Sequence, residues 1–454
     1  MANEKRIKEH DPNKVPFGRL LAWNTRPIAL GSITIIIGYF SIYCTDTLGM
    51  NPALVGTLLM ASKIVDGFTD LIAGYFVDNT KTRWGKARPY EIFIILAWLG
   101  TVLLFSARTE WSIVAKSIWI FTMYTLVFSI FSTFLNAAES PYIIRAFGTK
   151  EAVTKVSAVG GIVITLGCMI VGITFPIMMG NLATSDKGWT KLMLIYAIPL
   201  TLIGILRFIF IREQYTGEDA LSPRVTLKDM FTMLKSNPYT WCMAGVNGVT
   251  QFIAGLGAVT YYFTWIVGNI SLLSTLQLFS ILSLFVMLTF PVVIRKKSAN
   301  YLIMVGAILG IVGYSINFFA GKNLILLTIA SLLGGVAVLP GSYLRTIMVM
   351  EIAKYNQWKG LPGMEATAAA LANFFGKVFT AFGSFILGIL LTTGGYDGTL
   401  AVQSESALNM IRLLYSVIPA ASMCIMLFCT LIYRKLDKQL PQIEAELAAR
   451  DAVN

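Results

Sequence analysis

The 454-residue chain is 56% hydrophobic and 13% charged, with a mean hydropathy of +0.69. So few charges cannot cover that much apolar surface in water, which excludes a soluble globular domain and defines an integral membrane protein. The net charge is +12, and the single histidine, His10, lies in the hydrophilic N-terminal segment, which leaves histidine-ligated haem, histidine metal clusters and histidine acid/base catalysis within the membrane unsupported.

Residues 1–16 carry Lys5, Arg6, Glu9, Asp11 and Lys14 and hold no apolar core, so this segment is expected to stay on the side of synthesis. Apolar stretches then recur at 27–49, 53–77, 90–107, 112–138, 154–180, 192–211, 239–268, 272–294, 301–321, 324–353, 366–395 and 410–433. Each is long enough for a bilayer core of about 30 Å, which gives an all-α membrane protein of twelve transmembrane helices. The longest polar connection divides them into two six-helix halves: a tail over 1–26, a first half over 27–211, a linker over 212–238, a second half over 239–433 and a tail over 434–454. Six plus six is the layout of the major facilitator superfamily, whose halves rock about a site at the midplane.

Lysine and arginine concentrate in the two tails and in the connections after the even-numbered helices. The opposite side holds Arg108, Lys116, Lys187, Lys191, Lys322 and Arg412. This asymmetry predicts cytoplasmic termini in an inner membrane and accounts for the basic charge with no nucleic-acid partner. Within the linker, residues 226–234 have amphipathic spacing and fit either a helix on the headgroups or a plain connecting helix. Cys44, Cys168, Cys242, Cys424 and Cys429 lie in apolar stretches without paired spacing and read as packing residues.

The second helix carries Lys63, Asp66 and Asp70 at i, i+3, i+7, one stripe with Thr69 beside it. Ionisable groups cost about 2.5–3.5 kcal/mol each in a lipid-exposed helix, so these face the bundle interior. Two carboxylates four residues apart repel each other and favour sharing a proton or a small cation, which suits a coupling-ion site. The bland alternative is a buried ion pair between Lys63 and one aspartate. Lys377, with Asn373 one turn before it, places a second intramembrane cation in the other half. In the fourth helix Thr133 and Asn136 offer neutral oxygens to a cation or a hydroxylated solute, or bond between helices. Tyr261, Tyr262, Phe263 and Trp265 either stack on a sugar ring or pack. No GxxxxGK[ST] segment and no nucleophile with a base partner are present, so an ATP-driven motor and a membrane enzyme are both unsupported.

Residues 63–93, KIVDGFTDLIAGYFVDNTKTRWGKARPYEIF, resemble the glycoside/pentoside/hexuronide cation symporter family of the major facilitator superfamily. Further similar segments are TDTLGMNPALVGTL, YYFTWIVGN, EIAKYNQWKG and the region of Glu365 and Lys377, so the likeness covers essentially the whole chain. It implies that Asp66 and Asp70, with Thr69 and Thr133, bind a coupling Na⁺, Li⁺ or H⁺. It further implies that Lys377 lies near the cation and solute sites; Asn136, Asn373 and Lys63 are expected to join it in solute binding or coupling. Asp78, Arg83, Gly85, Lys86 and Arg88 match a cytoplasmic gating loop that latches the halves. The implied partners are a small sugar or glycoside, the coupling cation and membrane lipid, with no other cofactor and the chain working as a monomer. Sugar-transporting members grip hydroxyls with charged residues where this chain has Leu30, Asn136 and Gly160. The expected activity is therefore cation-coupled symport of a sugar-like solute; the alternatives are a carrier for an anionic or lipid-like metabolite and a non-transporting sensor.

Overall fold

The computed structural model describes residues 15–214, 233–294, 296–361 and 365–451. The expected amphipathic segment at 226–234 lies almost wholly outside them. The described chain forms twelve successive helical runs. In the first half these are α1 (Phe17–Ile37, prolonged by a π turn over Tyr43–Thr47), α2 (Pro52–Asn79), α3 (Phe93–Leu104), α4 (Ile113–Phe147), α5 (Lys150–Leu182) and α6 (Asp186–Phe210). In the second half they are α7 (Pro238–Val267), α8 (270–294), α9 (Ala299–Ala320), α10 (Leu324–Trp358), α11 (Glu365–Thr393) and α12 (405–451).

Among the described residues nine helices are long and apolar enough to cross a membrane. The other three fall short for local reasons. Helix α2 carries Lys63, Asp66, Asp70 and Asp78, α3 has only 12 α-helical residues after a 3₁₀ turn at Arg88–Ile92, and α8 is broken between Phe279 and Ile281. Helix α1 starts at Phe17, earlier than the expected residue 27. The apolar run masked this start because Arg26, counted with the tail, is in fact buried at 2% exposure.

The halves are joined at the face opposite the termini. Asn51 caps α2, and Thr392 of α11 accepts the Ala53 N–H at 3.0 Å while its hydroxyl lies 3.1 Å from Asn51 Oδ1. Asp46 at the end of α1 accepts from Trp265 Nε1 at 3.0 Å and from the Tyr396 hydroxyl, and the Thr45 and Tyr261 hydroxyls are 3.1 Å apart. Tyr261, Tyr262 and Phe263 are buried, so the aromatic cluster of α7 packs and closes this face; it is not a platform for a sugar ring.

Helices α2 and α11 approach closely through glycine. A Cβ at Gly56 would lie 2.7 Å from the Ser384 carbonyl oxygen and 3.2 Å from Phe385 Cα. Gly56→Leu is therefore expected to pry open this closed face and to cut solute uptake about tenfold or more, with cysteine-accessibility labelling at Thr392→Cys rising as the contact opens.

Candidate functional site

Asp66 sits midway along α2 and is buried, with 3% exposure. The Thr133 hydroxyl reaches its Oδ1 at 2.9 Å. That approach depends on a π turn at Leu126–Ser132, which offsets α4 so that Thr133 also stands 3.1 Å from the Phe128 carbonyl, five residues back. The other carboxylate oxygen of Asp66 faces two ammonium groups, Lys377 Nζ at 3.2 Å from α11 and Lys63 Nζ at 3.7 Å from the preceding turn. Lys377 Nζ simultaneously lies 2.5 Å from Asp70 Oδ2. One lysine from the second half thus bridges both aspartates of the first. Lys63 is steered away from this bridge by the rings of Phe128 and Tyr124, 4.8 and 5.7 Å from its Nζ.

Thr69 does not join them. Its hydroxyl donates to the Asp66 carbonyl at 3.0 Å, because one residue's step turns it about 100° around α2 from Asp70. The ion-pair reading of Lys63 holds as one contact, yet the aspartates' closest cation is Lys377.

Two adjoining cavities meet at Lys63, Asn136 and Lys377. The first, about 500 Å³, reaches Asp66, Thr133, Leu30, Arg26 and Glu139; the second, about 370 Å³, reaches Asp70, Asn247, Gln251, Arg345, Asn373 and Thr380. Both volumes suit a small organic molecule. Asp66 is almost sealed while the Asp70 side chain, one turn nearer the face with the termini, is 44% exposed. With the far face closed, the site therefore communicates with the termini face.

Asn247, Gln251, Arg345 and Thr380 extend the expected set; Asn247 and Gln251 at i, i+4 on α7, and Lys377 with Thr380 on α11, were the signals that could have found them. Of the three altered sugar-clamp positions, Leu30 and Asn136 line the first cavity. Gly160 packs on Asn24 of α1, where a Cβ would lie 2.5 Å from Asn24 Oδ1, so no long side chain fits there.

Behind the first cavity Arg26, Glu91, Glu139 and Arg207 form a buried charge cluster: Arg207 lies 2.8 Å from Glu139 and 3.8 Å from Glu91, and Arg26 contacts Glu139 and lies 3.5 Å from Glu91. The Arg207 guanidinium also covers the Trp23 ring at 3.3 Å.

The loop after α2 is held by a carboxylate. Gly85 (φ 116°) turns the backbone so that the N–H groups of Lys86, Ala87 and Arg88 converge on the Glu213 carboxylate at 3.0, 2.8 and 2.8 Å. The Arg88 side chain donates to the Phe208 carbonyl, and Arg83 lies over Trp84. Phe208 belongs to the last turn of α6, and Glu213 follows it at the start of the linker. Among the described residues these contacts hold the loop against the chain at and just after the end of α6. The Asp78 side chain lies outside the described residues.

Comparison with known proteins agrees with this architecture. The family described as MFS/sugar transport protein matches residues 28–438, and the chain belongs to that family. It is a multi-pass membrane transporter of the major facilitator superfamily, similar to the glycoside/pentoside/hexuronide symporters, and not an enzyme. It is 26% identical to the isoprimeverose transporter of Lactiplantibacillus pentosus, over 97% of this chain and 93% of that one. It is 23% identical to a putative sulfoquinovose importer of Escherichia coli (strain K12), over 91% and 90%. A bacterial homologue of the human lysosomal transporter Spinster, solved inward-facing and unoccupied, superimposes with a TM-score of 0.65 at 14% identity, covering 94% and 98% of the two chains.

Proposed function

We propose that the protein is a secondary active symporter that couples Na⁺ or H⁺, with Li⁺ a further candidate ion, to a sugar-like solute of the glycoside, pentoside or hexuronide type by alternating access. The observation that carries this reading is the Lys377 bridge. An ammonium group from one half already occupies the place between two carboxylates of the other, so a small cation arriving at Asp66, Asp70 and Thr133 frees Lys377 and Asn136 to meet the solute. Exchange of one cation for another keeps buried Asp66 and half-exposed Asp70 paired throughout, which spares Asp66 the large cost of an uncompensated buried charge. Isoprimeverose and sulfoquinovose, named for two relatives, are both sugar-like, which supports the solute class. The excess of Lys and Arg at the face with the termini supports an inner-membrane orientation with both termini cytoplasmic. Because both cavities are enclosed by one chain, a monomer suffices as the working unit.

Linkage gives the test: if the cation raises solute affinity, the solute raises cation affinity by the same factor. Titration calorimetry on the purified protein is expected to show a reciprocal coupling of about 5–150-fold between Na⁺, or H⁺, and a bound glycoside. Solute affinity independent of both ions contradicts the proposal.

A further inference from the structure

The charges around the two cavities do not balance. Lys63 and Lys377 are matched by Asp66 and Asp70, and Arg26 and Arg207 by Glu91 and Glu139. Arg345 is left over. It reaches the second cavity from α10, half-buried, and among the described residues its guanidinium meets no carboxylate; its Nη1 donates to the neutral Asn373 Oδ1 at 3.0 Å. The site therefore carries one positive charge before any ion binds and would carry two with a monovalent cation in place. Holding two like charges in a partly desolvated cavity is costly, and a neutral solute would leave that cost untouched.

We infer that the solute is a hydroxylated organic monoanion, its carboxylate or sulfonate held by Arg345 and its hydroxyls read by the amides of the second cavity. This rests on the symport reading above and specifies its substrate. Asn373 holds one edge of the guanidinium, which orients the remaining N–H groups for two-point contact with an oxyanion. Asn136, Asn247, Gln251 and Thr380 around the same space supply neutral donors and acceptors suited to sugar hydroxyls.

Three probes with one skeleton separate the possibilities: methyl β-glucoside, which is neutral, its 6-carboxylate, and its 6-deoxy-6-sulfonate. Binding to the purified full chain is measured by calorimetry with saturating Na⁺ and again at varied proton concentration. At least one anion is expected to bind about tenfold or more tightly than the neutral glucoside. Which anion gains names a planar or a tetrahedral group. Arg345→Gln is expected to erase that preference, read as the ratio of anion to neutral affinity, and Arg345→Lys to keep part of it. Unchanged Tm and Na⁺ binding of the variants show that the fold survives. Equal binding of all three probes, or a preference that persists in Arg345→Gln, overturns the inference; if the neutral glucoside then still binds in a cation-linked way, the symport reading stands without it. Should none of the probes bind to folded protein, the sugar-like solute falls and the inference with it.

Discussion

Asp66→Asn is expected to lower cation-driven solute uptake about a hundredfold or more in proteoliposomes, while the protein still inserts and folds. The carboxylate of Asp66 accepts from Thr133, meets Lys63 and meets Lys377. A neutral amide keeps the shape and removes the charge, so one carboxylate, Asp70, is left with two ammonium groups. An incoming cation then meets net repulsion where it met attraction. A charge-assisted contact worth about 1.5–3 kcal/mol corresponds to about 10–150-fold, and the repulsion from the two ammonium groups adds to it. Uptake down the ion gradient within about threefold of wild type would show that Asp66 serves helix packing alone.

The second large effect is on stability. Arg207→Met is expected to destabilise the protein by about 3–5 kcal/mol, because it leaves Glu91, with no exposed side chain, facing Arg26 across 3.5 Å alone. Neither Glu91 oxygen makes a hydrogen bond in this cluster, so its charge is held only by the two guanidinium groups. The double variant Arg207→Met/Glu91→Gln removes the orphaned charge and is expected to recover most of the loss. Thermal unfolding in detergent measures both. A double variant no more stable than the single one contradicts the electrostatic origin and assigns the loss to the Trp23 and Tyr142 packing that Arg207 also provides.

The sequence showed Asp66, Asp70 and Lys63 readily, since three ionisable residues at helical spacing in an apolar stretch have no cheaper explanation than a buried site. Lys377 was legible as a charge in the opposite half, and its bridging position needed the packing of α2 along α11. Thr69 was misplaced because a neighbour in sequence is a quarter-turn away on a helix. The cluster of Arg26, Glu91, Glu139 and Arg207 was invisible because its members come from α1, the 3₁₀ turn before α3, α4 and α6, and no local periodicity links them. Arg26 also abuts the tail, so it read as a flanking charge. Glu213 was missed for a different reason. Beside the Arg145 guanidinium at 3.9 Å, its partners are three backbone N–H groups, which every sequence possesses and the turn at Gly85 gathers. The all-α architecture was legible because apolar stretches at regular intervals dictate it, with α2, α3 and α8 the weakest by length or composition, whereas helix starts such as Phe17 depend on contacts that a hydropathy window does not register.

The most direct test of cation coupling is solute uptake into proteoliposomes with an imposed inward Na⁺ or H⁺ gradient, read beside the same vesicles without a gradient and beside Asp70→Asn. Labelled glycosides, pentosides and hexuronides serve as solutes. Accumulation above the external concentration in wild type, absent without the gradient and lost in Asp70→Asn, is the expected result. Accumulation that persists in Asp70→Asn, or uptake that equilibrates whatever ion gradient is imposed, would contradict a coupling site built from the two aspartates.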